Sequence, residues 1–145
     1  MGGVVVALLA ATVGVLTLTA APVSATTASV ANDTQYRAAL LALSGDNTGP
    51  HVIDITADFT ITLAGDPTYT GTQPLTMEGN GHTINGGAPG DPHRILNHNT
   101  AQTLTVNNLT LTNGKPAFFG DGGAIRAGGS VTVTGSTFTD NATTG

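Results

Sequence analysis

The chain has 145 residues, enough for one domain, and a formal net charge of −5 that rests on only four basic residues, Arg37, Arg94, Lys115 and Arg126. With no clustered basic surface it is not a nucleic-acid binder, and with no cysteine it holds neither disulfides nor thiolate metal sites. Charged residues make up 9%, against roughly 25% in an average chain, while threonine is the commonest residue and glycine numbers 20. Many short strands joined by tight turns fit that balance better than disorder does.

Residues 1–25 read as a secretory signal peptide. The run Val4–Ala20 is apolar and uncharged, and Val23 and Ala25 supply small residues at the −3 and −1 positions for cleavage before Thr26. No Lys or Arg precedes the run, so the α-amino group serves as the positive end or the true start lies upstream. A retained membrane anchor is the alternative, although roughly 20 apolar residues are needed to span. The expected division is a signal peptide at 1–25, a lead-in and capping helix at 26–50, and β-helix coils over 51–145.

Thr26–Asn32 is a short polar lead-in. Tyr36, Ala39, Leu40 and Leu43 then fall on one face of a helix over Thr34–Ser44, with Asp33 or Thr34 as its N-cap and Gly45 ending it in the left-handed region. In "HVIDITADFTITLAG", Ile53, Ile55, Phe59, Ile61 and Leu63 share an interior face, and Thr60 and Thr62 face outward.

From there the chain is periodic. Leu75–Met77, Leu104–Val106 and Val131–Val133 recur at intervals of 29 and 27 residues, and each is followed by a second strand, His82–Asn85, Asn107–Asn113 and Thr134–Asn141. A third strand precedes each unit: Phe59–Leu63, Arg94–Leu96 and Gly122–Arg126. A sandwich would show turns every 8–12 residues without a long period. Three short strands per winding, repeated, point to a solenoid. Burying a side chain yields about 1.5–3 kcal/mol and ordering each residue costs about 1–2 kcal/mol. A lone winding therefore cannot hold itself, and stacking is required. The expected fold is all-β, a right-handed parallel β-helix of about three coils, with Leu75, Met77, Ile84, Leu104, Val106, Leu111, Val131, Val133 and Phe138 as core and the helix covering one end.

"GGAI" (Gly122–Ile125) followed by "FTDN" (Phe138–Asn141) resembles the paired GGAI and FxxN tetrapeptides of polymorphic outer membrane protein repeats. The region Asp33–Gly145 resembles secreted β-helix proteins of the pectate-lyase-like superfamily. In such repeats another GGAI follows FxxN within a few residues, so the resemblance implies a solenoid that continues past Gly145, through further coils or another copy stacked on the open end. Locally, Gly122 and Gly123 permit a tight corner. Asn113 and Asn141 suit a left-handed turn and a stacked amide ladder.

No catalytic, cofactor or metal residue is assigned. His82, His93 and His98 are expected on solvent-facing positions. Asp54, Asp58, Asp66, Glu78, Asp91 and Asp121 supply carboxylates, and Glu78 or Asp91 near Arg94 or Arg126 is the imaginable catalytic pairing, yet no spacing singles out a pair. Thr76, Thr105 and Thr132 should stack as an exposed column, joined by the pairs Thr60/Thr62, Thr110/Thr112 and Thr137/Thr139. Asn32, Asn108 and Asn141 match the glycosylation acceptor tripeptide, as chance allows in so Asn- and Thr-rich a chain. The expected function is an extracellular or cell-surface scaffold or adhesin module whose partner is a carbohydrate or a host or cell-surface protein. The alternatives are the N-terminal part of a polysaccharide lyase or glycoside hydrolase, and an ice- or crystal-surface binder working through threonine columns.

Overall fold

Alternation of apolar and polar residues over short runs gives strands with one buried face, and a run too short to close its own sheet must pair with the next copy. The computed structural model describes residues 23–116 and 120–143 and shows this pairing throughout. The first 22 positions of the expected leader lie outside the described residues. The elements in order are β1 Thr26–Val30, α1 Asp33–Gly45, β2 His51–Ile55, β3 Phe59–Thr60, β4 Thr68–Tyr69, β5 Leu75–Glu78, β6 Thr83–Asn85, β7 Leu96–His98, β8 Leu104–Asn107, β9 Thr110–Thr112, β10 Ile125–Ala127, β11 Val131–Thr134 and β12 Thr137–Thr139.

These strands form three sheets, ordered β1-β2-β5-β8-β11, β3-β6-β9-β12 and β4-β7-β10, and every pairing is parallel. The chain visits the three sheets in turn, so β2-β3-β4, β5-β6-β7 and β8-β9-β10 are windings stacked on one another, and β11-β12 begins a fourth. This is the expected parallel β-helix, wound through the crossover connections that are almost always right-handed. Like residues stack inside it: Leu75 on Leu104 on Val131, Met77 on Val106 on Val133, and Ile84 on Leu111 on Phe138.

Four expectations are corrected. The lead-in is itself a strand, β1, paired residue for residue with β2. Phe59–Thr60 belongs to the second sheet rather than the third, whose first member is Thr68–Tyr69. Leu63 is exposed, because Leu63–Gly65 is a loop whose carbonyls accept from the Arg37 guanidinium. Val131, Val133 and Phe138 are 44%, 46% and 44% exposed, whereas Leu75, Met77, Ile84, Leu104, Val106 and Leu111 are fully buried. The last described winding points these three side chains at the axis, but no described residue lies on its far side.

Helix α1 covers the other end. Its buried face is Asp33, Tyr36, Ala39, Leu40 and Leu43, and it packs on β1, β2 and β4. Its N-cap is Asn32, not Asp33 or Thr34. The Asn32 side chain accepts from Gln35 N at 2.9 Å while Gln35 Oε1 accepts from Ala31 N at 2.8 Å, a reciprocal box that satisfies two orphan N–H groups. Asp33 is thereby freed to turn inward. Gly45 stays helical, and Asp46 in extended conformation is the C-cap, its N–H bonded to Leu43 O.

Corners between sheets use left-handed residues. Asn108 (φ 47°) and Gly135 (φ 60°) follow β8 and β11, while Asn113 (φ 54°) and Asp140 (φ 55°) follow β9 and β12. Asparagine and aspartate tolerate this region better than most side chains. The expected Asn113–Asn141 ladder does not form, because Asn113 shares its register position with Asp140. Asn141 lies one residue later and bonds backbone instead.

Candidate functional site

In a parallel ladder, residues that face outward line up at the interstrand spacing of about 4.8 Å. On the first sheet this gives the expected column Thr76–Thr105–Thr132, flanked by a second column, Ser29–Asp54–Glu78–Asn107–Thr134. The carboxylates in that second column are tied down. Asp54 accepts from Asn80 Nδ2 at 2.7 Å, and Glu78 accepts from Asn107 Nδ2 at 2.7 Å.

The second sheet carries two columns side by side, Thr83–Thr110–Thr137 and Thr60–Asn85–Thr112–Thr139. β-Branched residues suit an exposed strand face and leave hydroxyls and methyls in a flat, repeating array. Two concavities adjoin this array. A shallow depression of about 310 Å³ is lined by Asp58, Phe59, Thr60, Thr83 and Asn85. At the strand ends on the other side, a cavity of about 200 Å³ lies among Gly87, Pro89, Pro92, Asn113, Lys115 and Asp140. A cation, a carboxylate, an amide and two prolines line it. The face therefore offers hydrogen-bonding groups of both signs along one surface.

The carboxylates considered from the sequence disperse. Asp58 holds His82 Nδ1 at 3.0 Å and the Thr83 N–H at 2.9 Å, and those two bonds keep its carboxyl below the usual aspartate value. Arg94, nearly buried, pairs with Asp66 and donates to Gly122 O at 3.0 Å and Asp121 O at 2.7 Å. It therefore ties the second winding to the loops of its neighbours, and the imagined pairing with Glu78 or Asp91 does not occur. Arg126 reaches Asn97 Oδ1 at 3.5 Å. Among the described residues no three His, Asp or Glu side chains converge as metal ligands.

The histidine expectation is corrected at two of its three positions. His82 is partly exposed, but His93 and His98 are buried, as is His51. His51 Nδ1 lies 2.8 Å from Tyr69 Oη, and Tyr69 Oη donates to Gln73 O at 2.7 Å. A carbonyl only accepts, so the tyrosine proton goes to Gln73 and His51 carries its proton on Nδ1. The Tyr69 ring stacks on His98 with centroids 5.4 Å apart and planes at 15°. Neither ring nitrogen of His98 has a hydrogen-bond partner, nor does His51 Nε2. A signal was present in the sequence: His51 begins an alternating strand and so shares parity with the buried Ile53 and Ile55.

The three acceptor tripeptides have structural duties. Asn32 caps α1, Asn108 makes a left-handed corner and Asn141 bonds the preceding winding. In "GGAI", Gly122 has φ +73°, and Gly123 lies against the Ala142 backbone, where a Cβ would come within 2.8 Å of both N and O. The tetrapeptide thus marks a corner and a close approach between windings.

A family model described as "Putative pectate lyase-like adhesive domain" matches residues 27–144. No curated protein and no solved structure matches the chain. A match that takes in nearly every strand of the three-sheet solenoid settles the affiliation: the chain belongs to the pectate lyase-like adhesive domain family.

Proposed function

We propose that this chain is an adhesive β-helix module that works outside the cell or on its surface and meets its partner, a carbohydrate or a cell-surface protein, through the second sheet. The observation that carries this reading is a pair of register-matched threonine columns on one sheet, with a depression among Thr60, Thr83 and Asn85 and a second concavity at the strand ends. A rigid ladder holds its outward groups without further ordering, so a partner with repeated hydroxyls or amides binds at little entropic cost. The family affiliation supports the adhesive role.

The test is binding of the purified chain to immobilised extracellular polysaccharides and to cell surfaces. Thr110→Lys combined with Thr112→Lys should lower binding at least tenfold without moving Tm. Thr105→Lys, on the first sheet, should leave binding unchanged. Equal losses from both would remove the second sheet from the reading. Release of unsaturated sugar ends from pectin-like polymers would favour the polysaccharide-degrading alternative. The register-matched column Thr76–Thr105–Thr132 favours the surface-binding alternative enough to test, by thermal hysteresis and its loss on Thr105→Tyr.

A further inference from the structure

His51, Tyr69 and His98 form one buried aromatic column between the first and second windings, and no adhesive role requires it. His51 and Tyr69 meet edge to face at 6.0 Å, and Tyr69 stacks flat on His98 through the β4–β7 pairing, where the two are register partners. His51 and His98 are both 0% exposed.

The two histidines stand in different surroundings. His51 Nε2 lies 3.6 Å from the Asp46 carboxylate. His98 has no such neighbour. The charged groups on the elements around it are engaged elsewhere: Asp66 before β4 with Arg94 before β7, Asp33 with Arg37 on α1, and Arg126 on β10 with Asn97. Tyr36 of α1 donates to Ile95 O, and Tyr69 donates to Gln73 O.

We propose that this column is an acid-sensitive seam: protonation of His98 loosens the docking of β7 on β4, and with it the joint between the first and second windings. A charge on His98 would be buried with no carboxylate beside it and no well-formed acceptor, which is costly. Burial accordingly pushes the His98 pKa below the ordinary histidine value of 6.5, outweighing the weak opposing pull of its own backbone carbonyl. A histidine held neutral by the fold contributes stability above pH 6.5 that is lost as pH falls toward its folded value. Free carboxylates titrate lower, near pH 4, so the interval from pH 7.5 to 5.0 isolates the histidines.

The test is the thermal melt of the full chain at pH 7.5 and 5.0, followed by circular dichroism. Tm should fall by roughly 5 °C at the lower pH. His98→Phe keeps a ring on Tyr69 without titrating nitrogens and should remove at least half of that fall. His82→Asn, on the outer face, should leave it intact. An unchanged wild-type Tm, or a full decrease retained in His98→Phe, overturns the proposal. Should His98→Phe fail to fold, the NMR titration of the wild-type His98 ring decides: a midpoint below 6.5 supports the seam and one at or above 6.5 overturns it.

Discussion

The side chain of Asn141 is bonded to the backbone of the preceding winding at two points: its Oδ1 accepts from Gly114 N at 2.7 Å and its Nδ2 donates to Leu111 O at 2.9 Å. Gly114 is a corner group beyond the end of β9, and Leu111 lies inside β9, so the one side chain ties both the strand and its corner. Asn141→Ala should therefore destabilise the chain by about 1–3 kcal/mol. Asn141→Asp keeps the acceptor and loses the donor, so its cost should fall between wild type and alanine. Urea unfolding curves for the three proteins check the order.

Asp33 links α1 to the first winding. Burial alone would raise its pKa, but the N–H groups of Thr62 and Leu63 at 2.9 and 2.8 Å, together with the Arg37 guanidinium, hold it below the usual value of 3.8. A depressed folded pKa means stability that is present above pH 3.8 and lost as pH falls through the folded value. Asp33→Asn should cost about 1–3 kcal/mol at neutral pH. It should also flatten the acid limb of the Tm-versus-pH curve below pH 4, and a limb as steep as the wild type's would contradict the assignment.

Gly122 and Gly45 make a matched pair of controls. Gly122 sits at φ +73°, and a Cβ there would collide with the Ile125 carbonyl oxygen, so Gly122→Ala should cost about 2 kcal/mol or more. Gly45 ends α1 with nothing within 4 Å of an added Cβ. Gly45→Ala should be neutral or stabilise by up to about 1 kcal/mol. Melting temperatures of the two variants should move in opposite directions, or only the first should move.

The core is graded along the axis. Leu111 is fully buried and its stacking neighbour Phe138 is 44% exposed. Leu111→Ala should cost about 2–4 kcal/mol, while Phe138→Ala should cost about half as much. Phe138→Asp should leave the β circular-dichroism signal in place, since a carboxylate at that position reaches water. Equal destabilisation by the two alanine variants would mean that the last winding is covered in solution.

Much of this architecture was legible in the sequence. The recurrence of Leu75–Met77, Leu104–Val106 and Val131–Val133 is a register statement, because parallel stacking brings like positions together. The threonine columns followed directly. The stripe Tyr36, Ala39, Leu40, Leu43 identified the face of α1 for the same reason, a fixed period. The resemblance of the wider region Asp33–Gly145 to the pectate-lyase-like superfamily is the one that the family match supports.

What failed depends on neighbours far along the chain. Phe59 has the alternation of a third-sheet strand but pairs with Ile84, because the first winding is shorter and a later dipeptide, Thr68–Tyr69, fills the third sheet. His98 is polar in a polar run, "LNHNT", and its interior place follows only once β7 is formed, where it shares parity with Leu96 and stacks on the Tyr69 ring.

By itself the sequence determined the period of the winding and which residues share a column, since both are consequences of spacing along one chain. Which columns are covered, what Tyr69 stacks on and what Asn141 holds were decided only by the tertiary structure. Burial and hydrogen bonding belong to the groups that stacking brings from about 27 residues away, and local pattern carries no record of them.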